Sequence, residues 1–197
     1  MAQTELAIQQ GKTFVRTLRW ESAPIEYEPI TAIAATAPVS LTVPGHGVPD
    51  GWRIAIVSVK GMTEINASQP PKAKDYQQAT VVSTDTIEIN KINASGFAAY
   101  TSGGFVQYNS PVPLDGYTAR MAIKDKMRGN EYYRLTTENG DITIDVTGYK
   151  IELSISAEVT AGFTFLSGVY DLEMVSPDGV VSQLIYGEVT VAPEVTD

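Results

Sequence analysis

Residues 30–109 do not belong to their surroundings, because a β-rich pattern stops before Ile30 and resumes after Asn109. Phe14, Arg16, Leu18 and Trp20 alternate with Val15, Thr17 and Arg19, the period of two expected of a half-buried strand. Ala23-Pro24-Ile25-Glu26-Tyr27-Glu28-Pro29 follows. Its two prolines each remove a ladder donor and fix φ, so pairing is expected to end there. The next comparable strand, Tyr117 to Ile123, begins only after Ser110-Pro111-Val112-Pro113-Leu114-Asp115-Gly116. A lone strand leaves both rows of its backbone groups unpaired, so the first strand has to find its sheet in the C-terminal half. This spacing predicts a discontinuous domain of residues 1–29 plus 110–197, with residues 30–109 inserted into it.

Both parts read as short strands divided by turn signals. In the insertion, Val39 to Val43 and Trp52 to Val59 flank Pro44-Gly45-His46-Gly47-Val48-Pro49-Asp50-Gly51, whose prolines and glycines supply the fixed and positive φ values of a reversal. Ala79 to Val82, Thr86 to Ile89 and Gly103 to Tyr108 complete a set that fits a small barrel or sandwich. In the flanks, Ile142 to Val146 and Tyr149 to Ile155 alternate. The clearest hairpin joins Val169–Val175 to Val180–Tyr186 through Ser176-Pro177-Asp178-Gly179. Ser156 is placed to cap about one helical turn. Six or seven alternating strands with almost no helix predict an immunoglobulin-like sandwich. The expected class is all-β: an immunoglobulin-like β-sandwich interrupted by an inserted small β-barrel.

The chemical inventory is thin. A net charge of −9 with dispersed acids disfavours nucleic-acid binding; the basic residues Lys124, Lys126 and Arg128, with Lys72 and Lys74 elsewhere, read as solvated loop charges. With no cysteine, disulfides, thiolate metal sites and cysteine nucleophiles drop out. The one histidine, His46, sits between glycines and reads as structural, capping neighbouring backbone or packing on Trp52. A lone histidine also makes no histidine-based zinc site. Glu131, Glu138, Asp141 and Asp145 lie close in sequence but read as a solvated face. Asn66-Ala67-Ser68 and Asn93-Ala94-Ser95 match the glycosylation triplet, but the N-terminal residues carry neither a signal peptide nor a membrane span, so both are taken as coincidental. Tyr76, Tyr100, Phe105 and Tyr108 offer either a sugar-stacking platform or, more commonly, core and turn packing. No catalytic, cofactor-binding or metal-binding residue is assigned, and no cofactor.

Three motifs of the insertion, His46 to Ile54, Gly61 to Asn66 and Ala98 to Gly104, resemble a small β-barrel module of bacteriophage virion proteins. That module is similar to the first catalytic-cysteine half-domain of ubiquitin-activating enzymes. Only the barrel carries over, since the chain has neither the cysteine nor a nucleotide-binding unit. The segment Ala67 to Asp75 is longer than the module's tight connection. The flanks resemble the immunoglobulin-like domain at the N-terminal end of phage upper-baseplate proteins, through Gln10 to Phe14, Pro113 to Met121, Val169 to Glu173 and Gly187 to Val191. The resemblance implies a non-enzymatic adaptor of the virion tail, baseplate or neck, made in the host bacterial cytoplasm. It implies symmetric copies contacting other virion proteins, with no nucleic acid and no membrane. With no fibre extension before Asp197, the chain is expected to be a whole short adaptor. A capsid decoration protein and a carbohydrate-binding receptor module are the alternatives.

Overall fold

The structure, a computed structural model, describes residues 2–194, so the chain ends that close the expected first domain lie outside it. The chain divides into two compact units: residues up to Trp20 with those from Val112 onward, and Glu21–Pro111. The first unit begins with β1 (Ala2–Gln3), β2 (Leu6–Gln9) and β3 (Phe14–Leu18). The second contains β4 (Glu21–Pro29), β5 (Ala32–Ala34), β6 (Val39–Thr42), β7 (Arg53–Val57), β8 (Gln77–Gln78), β9 (Thr80–Ser83), β10 (Thr86–Ile89) and β11 (Phe105–Pro111). The first unit resumes with β12 (Thr118–Lys124), β13 (Glu131–Thr136), β14 (Ile142–Asp145), β15 (Lys150–Ile155), a single-turn helix α1 (Ala157–Ala161), β16 (Ser167–Val175) and β17 (Val181–Ala192).

The first unit is a two-sheet sandwich. One sheet runs β1-β17-β16-β12-β13 with β2 also on β17, and the other runs β14-β15-β3. The strand expected to seek its partner in the C-terminal half finds it there, with β3 antiparallel to β15 from Phe14 opposite Ile155 to Leu18 opposite Ile151. Alternation sends Met121 and Ile123, Leu172 and Met174, and Val189 and Val191 from one sheet, with Ile151, Leu153 and Ile155 from the other, into one apolar core. The predicted hairpin forms, pairing Val175 with Val181, and Gly179 takes the left-handed φ of 80° that its turn requires. Gly187 is needed for a different reason: a Cβ there would lie 2.0 Å from the Thr4 carbonyl oxygen, where the N-terminal segment runs alongside β17. Ser156 caps α1, its Oγ accepting the Val159 N–H at 3.3 Å.

The second unit holds two four-stranded sheets, β5-β6-β10-β9 and β4-β11-β7-β8. They are not hydrogen-bonded into a closed barrel, so the barrel expected of the insertion takes the form of two open sheets. Val39, Leu41, Ile87 and Ile89 of one sheet and Ile54, Ile56 and Val106 of the other are buried, as is Trp52. The boundary also falls earlier than expected, at Glu21 and not Ile30, because Glu21–Pro29 is a strand of this unit. Pairing does not end at the prolines. β4 lies at the outside of its sheet, where a missing N–H need cost no ladder bond, and a register shift between Asn109 and Ser110 absorbs Ala23 and Pro24.

Candidate interaction surface

The feature of the second unit most suited to recognition is the strand that the prolines had concealed. On β4, Ile25, Tyr27 and Pro29 pair with Asn109, Gln107 and Phe105 of β11. Directly opposed residues of a sheet share a face, so Ile25, Tyr27, Pro29 and Phe105 form one row while Glu26 and Glu28 point to the other side. The row is open to solvent, with Tyr27 53%, Ile25 44% and Phe105 41% exposed. Tyr27 and Phe105 meet edge to face at 6.4 Å. Among the described residues no strand pairs with the outer edge of β4, so an apolar row borders a line of backbone groups that lack ladder partners. The alternation of Ile25 and Tyr27 with Glu26 and Glu28 was the sequence signal for this strand.

On the face opposite, Glu26 and Glu28 stand beside the buried Tyr108 and Val106. Glu26 accepts from Ser110 Oγ at 2.7 Å. Tyr108 donates from its hydroxyl to the His46 carbonyl at 3.2 Å, and burial, reinforced by the charges of Glu28 and Glu26, pushes that phenol up to about 12. At the corner of the strand, Arg53 grips Glu21 with two bonds, 2.9 and 2.8 Å long.

Of the residues singled out from the sequence, Phe105 lies in this row and the others fall elsewhere. His46 is buried. Its Nδ1 accepts the Val48 N–H at 3.0 Å, which leaves the ring proton on Nε2 facing the Ser83 carbonyl at 3.0 Å. Both nitrogens are thus committed to backbone, the capping role anticipated for this ring. Glu131 bonds Arg134, Asp141 accepts from Tyr133 at 2.8 Å, Asp145 caps the Gly148 N–H at 2.9 Å, and Glu138 is exposed. Each of the first three carboxylates has a separate structural partner, and no group of three or more His, Asp or Glu among the described residues is arranged to hold a metal ion.

The four aromatics make no shared platform. Tyr76 accepts from Gln107 at 3.1 Å, Tyr100 donates to the Ile30 and Gly103 carbonyls, Tyr108 is spent on His46, and Phe105 belongs to the apolar row. Asn66 closes its loop by pairing both amide atoms with the backbone of Val59, at 2.8 and 2.9 Å. Asn93 accepts from the Ser95 N–H in a local turn. In the long 66–78 connection, Asp75 accepts from the Ser68 hydroxyl and from the Lys72 N–H, which lowers its pKa below the ordinary carboxylate value. Lys72 precedes the 3-10 turn Ala73–Asp75 and Lys74 lies within it, while Lys124, Lys126 and Arg128 gather in the first unit at the end of β12. No helix among the described residues is long and apolar enough to cross a membrane. No family model matches the chain, and the search of curated proteins finds no match to it.

Proposed function

We propose that this chain is a non-enzymatic structural component of a phage virion, an adaptor in the tail, baseplate or neck that is present in symmetric copies and contacts other virion proteins. The observation that carries the reading is the β4 row, in which Ile25, Tyr27 and Phe105 stay exposed beside an outer strand edge. Apolar side chains next to open backbone groups are what a neighbouring subunit covers by adding a strand and burying the row. Symmetric repetition on a particle turns such modest contacts into durable attachment. The motif resemblances in both units support the virion setting, and the commitment of His46 to backbone supports a role without catalysis.

The test is quantitative mass spectrometry of purified particles with immunogold labelling. Recovery in a fixed ratio on tails is expected; absence from particles overturns the reading, and label confined to mature heads replaces it with capsid decoration. Tyr27→Lys should reduce incorporation by about tenfold or more, the effect of losing a central aromatic anchor, while circular dichroism stays unchanged. Full incorporation of that variant would remove β4 from the interface.

A further inference from the structure

The outer face of the sandwich's larger sheet carries a hollow of about 450 Å³, lined by β12, β16, β17 and the 125–130 loop. Its floor follows from register. Ala122 stands opposite Asp171, which stands opposite Tyr186; one step along, Lys124 stands opposite Val169, which stands opposite Glu188. These side chains point away from the core, because Met121, Ile123, Tyr170 and Leu172 point into it. The small Ala122 leaves the depression, and Tyr186, 40% exposed, gives it a flat ring.

The end of β12 and the loop after it supply the charge. Lys124, Lys126 and Arg128 line the hollow, and the salt bridges among the described residues, Arg53–Glu21, Arg120–Glu173 and Arg134–Glu131, use none of them. In a chain of net charge −9, the lining holds three cations and two carboxylates, Asp171 and Glu188, with Glu131 standing opposite Lys124 on the neighbouring strand. The backbone of the loop that carries Lys126 and Arg128 is closed by two bonds of Asp125. Asp125 accepts the Lys126 N–H at 2.7 Å and donates its own N–H to the Asn130 carbonyl at 3.0 Å. Arg128 has a left-handed φ of 60°, a conformation that costs a side-chain-bearing residue and that glycine adopts freely.

We infer that this hollow is a binding site for a carboxylate-bearing saccharide. Such a ligand needs cations for its acid groups, acceptors for its hydroxyls and a ring to stack on, and the hollow offers Lys124 and Arg128, Asp171 and Glu188, and Tyr186 together. A phosphate polymer has no hydroxyl donors to offer Asp171 and Glu188, so the two carboxylates would face like charge with nothing to offset it. An extended acidic peptide gains little beside Tyr186, since β12 and β16 are paired on both sides and β1 covers the outer side of β17 at Ile185 and Tyr186. The inference does not depend on the chain being a virion part.

Calorimetric titration of the full chain with trigalacturonic acid, maltotriose and a short poly-glutamate peptide tests it. The acidic trisaccharide should bind at least about tenfold more tightly than the neutral one, and more weakly as salt rises. Arg128→Gly should lose about tenfold or more in affinity while its melting temperature holds or rises, an outcome that misfolding does not produce. Tyr186→Ala should weaken the same ligand. Wild-type affinity in Arg128→Gly, equal binding of poly-glutamate, or no binding of the acidic sugar up to about 10 mM each overturns the proposal.

Discussion

In the sandwich, strands from opposite ends of the chain become neighbours through ladder bonds: β3 joins β15, and β2 runs parallel to β17. Side chains then tie the N-terminal segment down, with Tyr170 donating to the Thr4 carbonyl at 2.9 Å, Gln10 to the Phe163 carbonyl at 2.9 Å and Thr160 to the Lys12 carbonyl at 2.9 Å. In the insertion, all the strands lie within one continuous stretch. There the ties close loops: Trp52 Nε1 donates to the Asn109 carbonyl at 2.8 Å, His46 bridges Val48 and Ser83, and Asn66 clasps Val59. The difference teaches that the first unit depends on contacts of long sequence separation, which carry a large loop-closure cost, while the second can assemble from its own segment.

The sharpest way to break this comparison is by deletion. A chain of residues 21–111 alone should give a dispersed amide spectrum with slowly exchanging β-sheet protons. The chain lacking residues 2–20 should lose protection across β14, β15 and β17, because β3 and β2 are gone, yet keep it in residues 21–111. Replacing residues 21–111 by a short Gly-Ser linker should leave a folded sandwich. An unfolded 21–111 fragment would show that the insertion needs its host.

Point substitutions sharpen the contrast. Trp52 is fully buried and bonded through its indole N–H, so Trp52→Ala should cost about 3–5 kcal/mol within the insertion. Hydrogen exchange at residues 21–111 measures it, and equal loss of protection at the sandwich core would contradict independent assembly. His46→Ala leaves the Val48 N–H and the Ser83 carbonyl without their partner and should cost the same unit about 1–2 kcal/mol. Chemical denaturation reads this loss, and a shift near zero would mean that water replaces the ring.

The smallest effect is expected at high pH, where both units contribute. Burial first of all pushes Tyr108 of the insertion and Tyr133 and Tyr170 of the sandwich up to about 12, against an ordinary value of 10.0. At Tyr133 the bond to Asp141 adds to burial, while at Tyr170 the charge of Arg16 pulls the other way. A folded value above the unfolded one means that the stabilising contribution is complete below pH 10.0 and is lost as pH rises toward about 12. Tyrosinate absorbance should therefore show a group titrating above the exposed tyrosines, and Tyr170→Phe should remove one member of it. Simple titration of all the tyrosines near 10.0 would show these phenols to be hydrated.

Sequence alone was enough for features set by short-range rules. Period-two alternation located β3, β12 and β16, the Pro-Asp-Gly turn located the β16–β17 hairpin, and Ser156 located its helical turn. The isolation of Phe14–Trp20 also required a discontinuous unit, because an unpaired strand has no stable existence. Tertiary structure decided the rest. Whether Pro24 and Pro29 end a strand depends on whether its neighbour requires their missing N–H groups, and β4 lies where none is required. Only pairing with β11 turned Ile25 and Tyr27 into an exposed row with Phe105. The hollow beside Tyr186 likewise joins residues from β12, β16 and β17, and which residues stand opposite one another is set by strand register, a property of the sheet that no single segment carries.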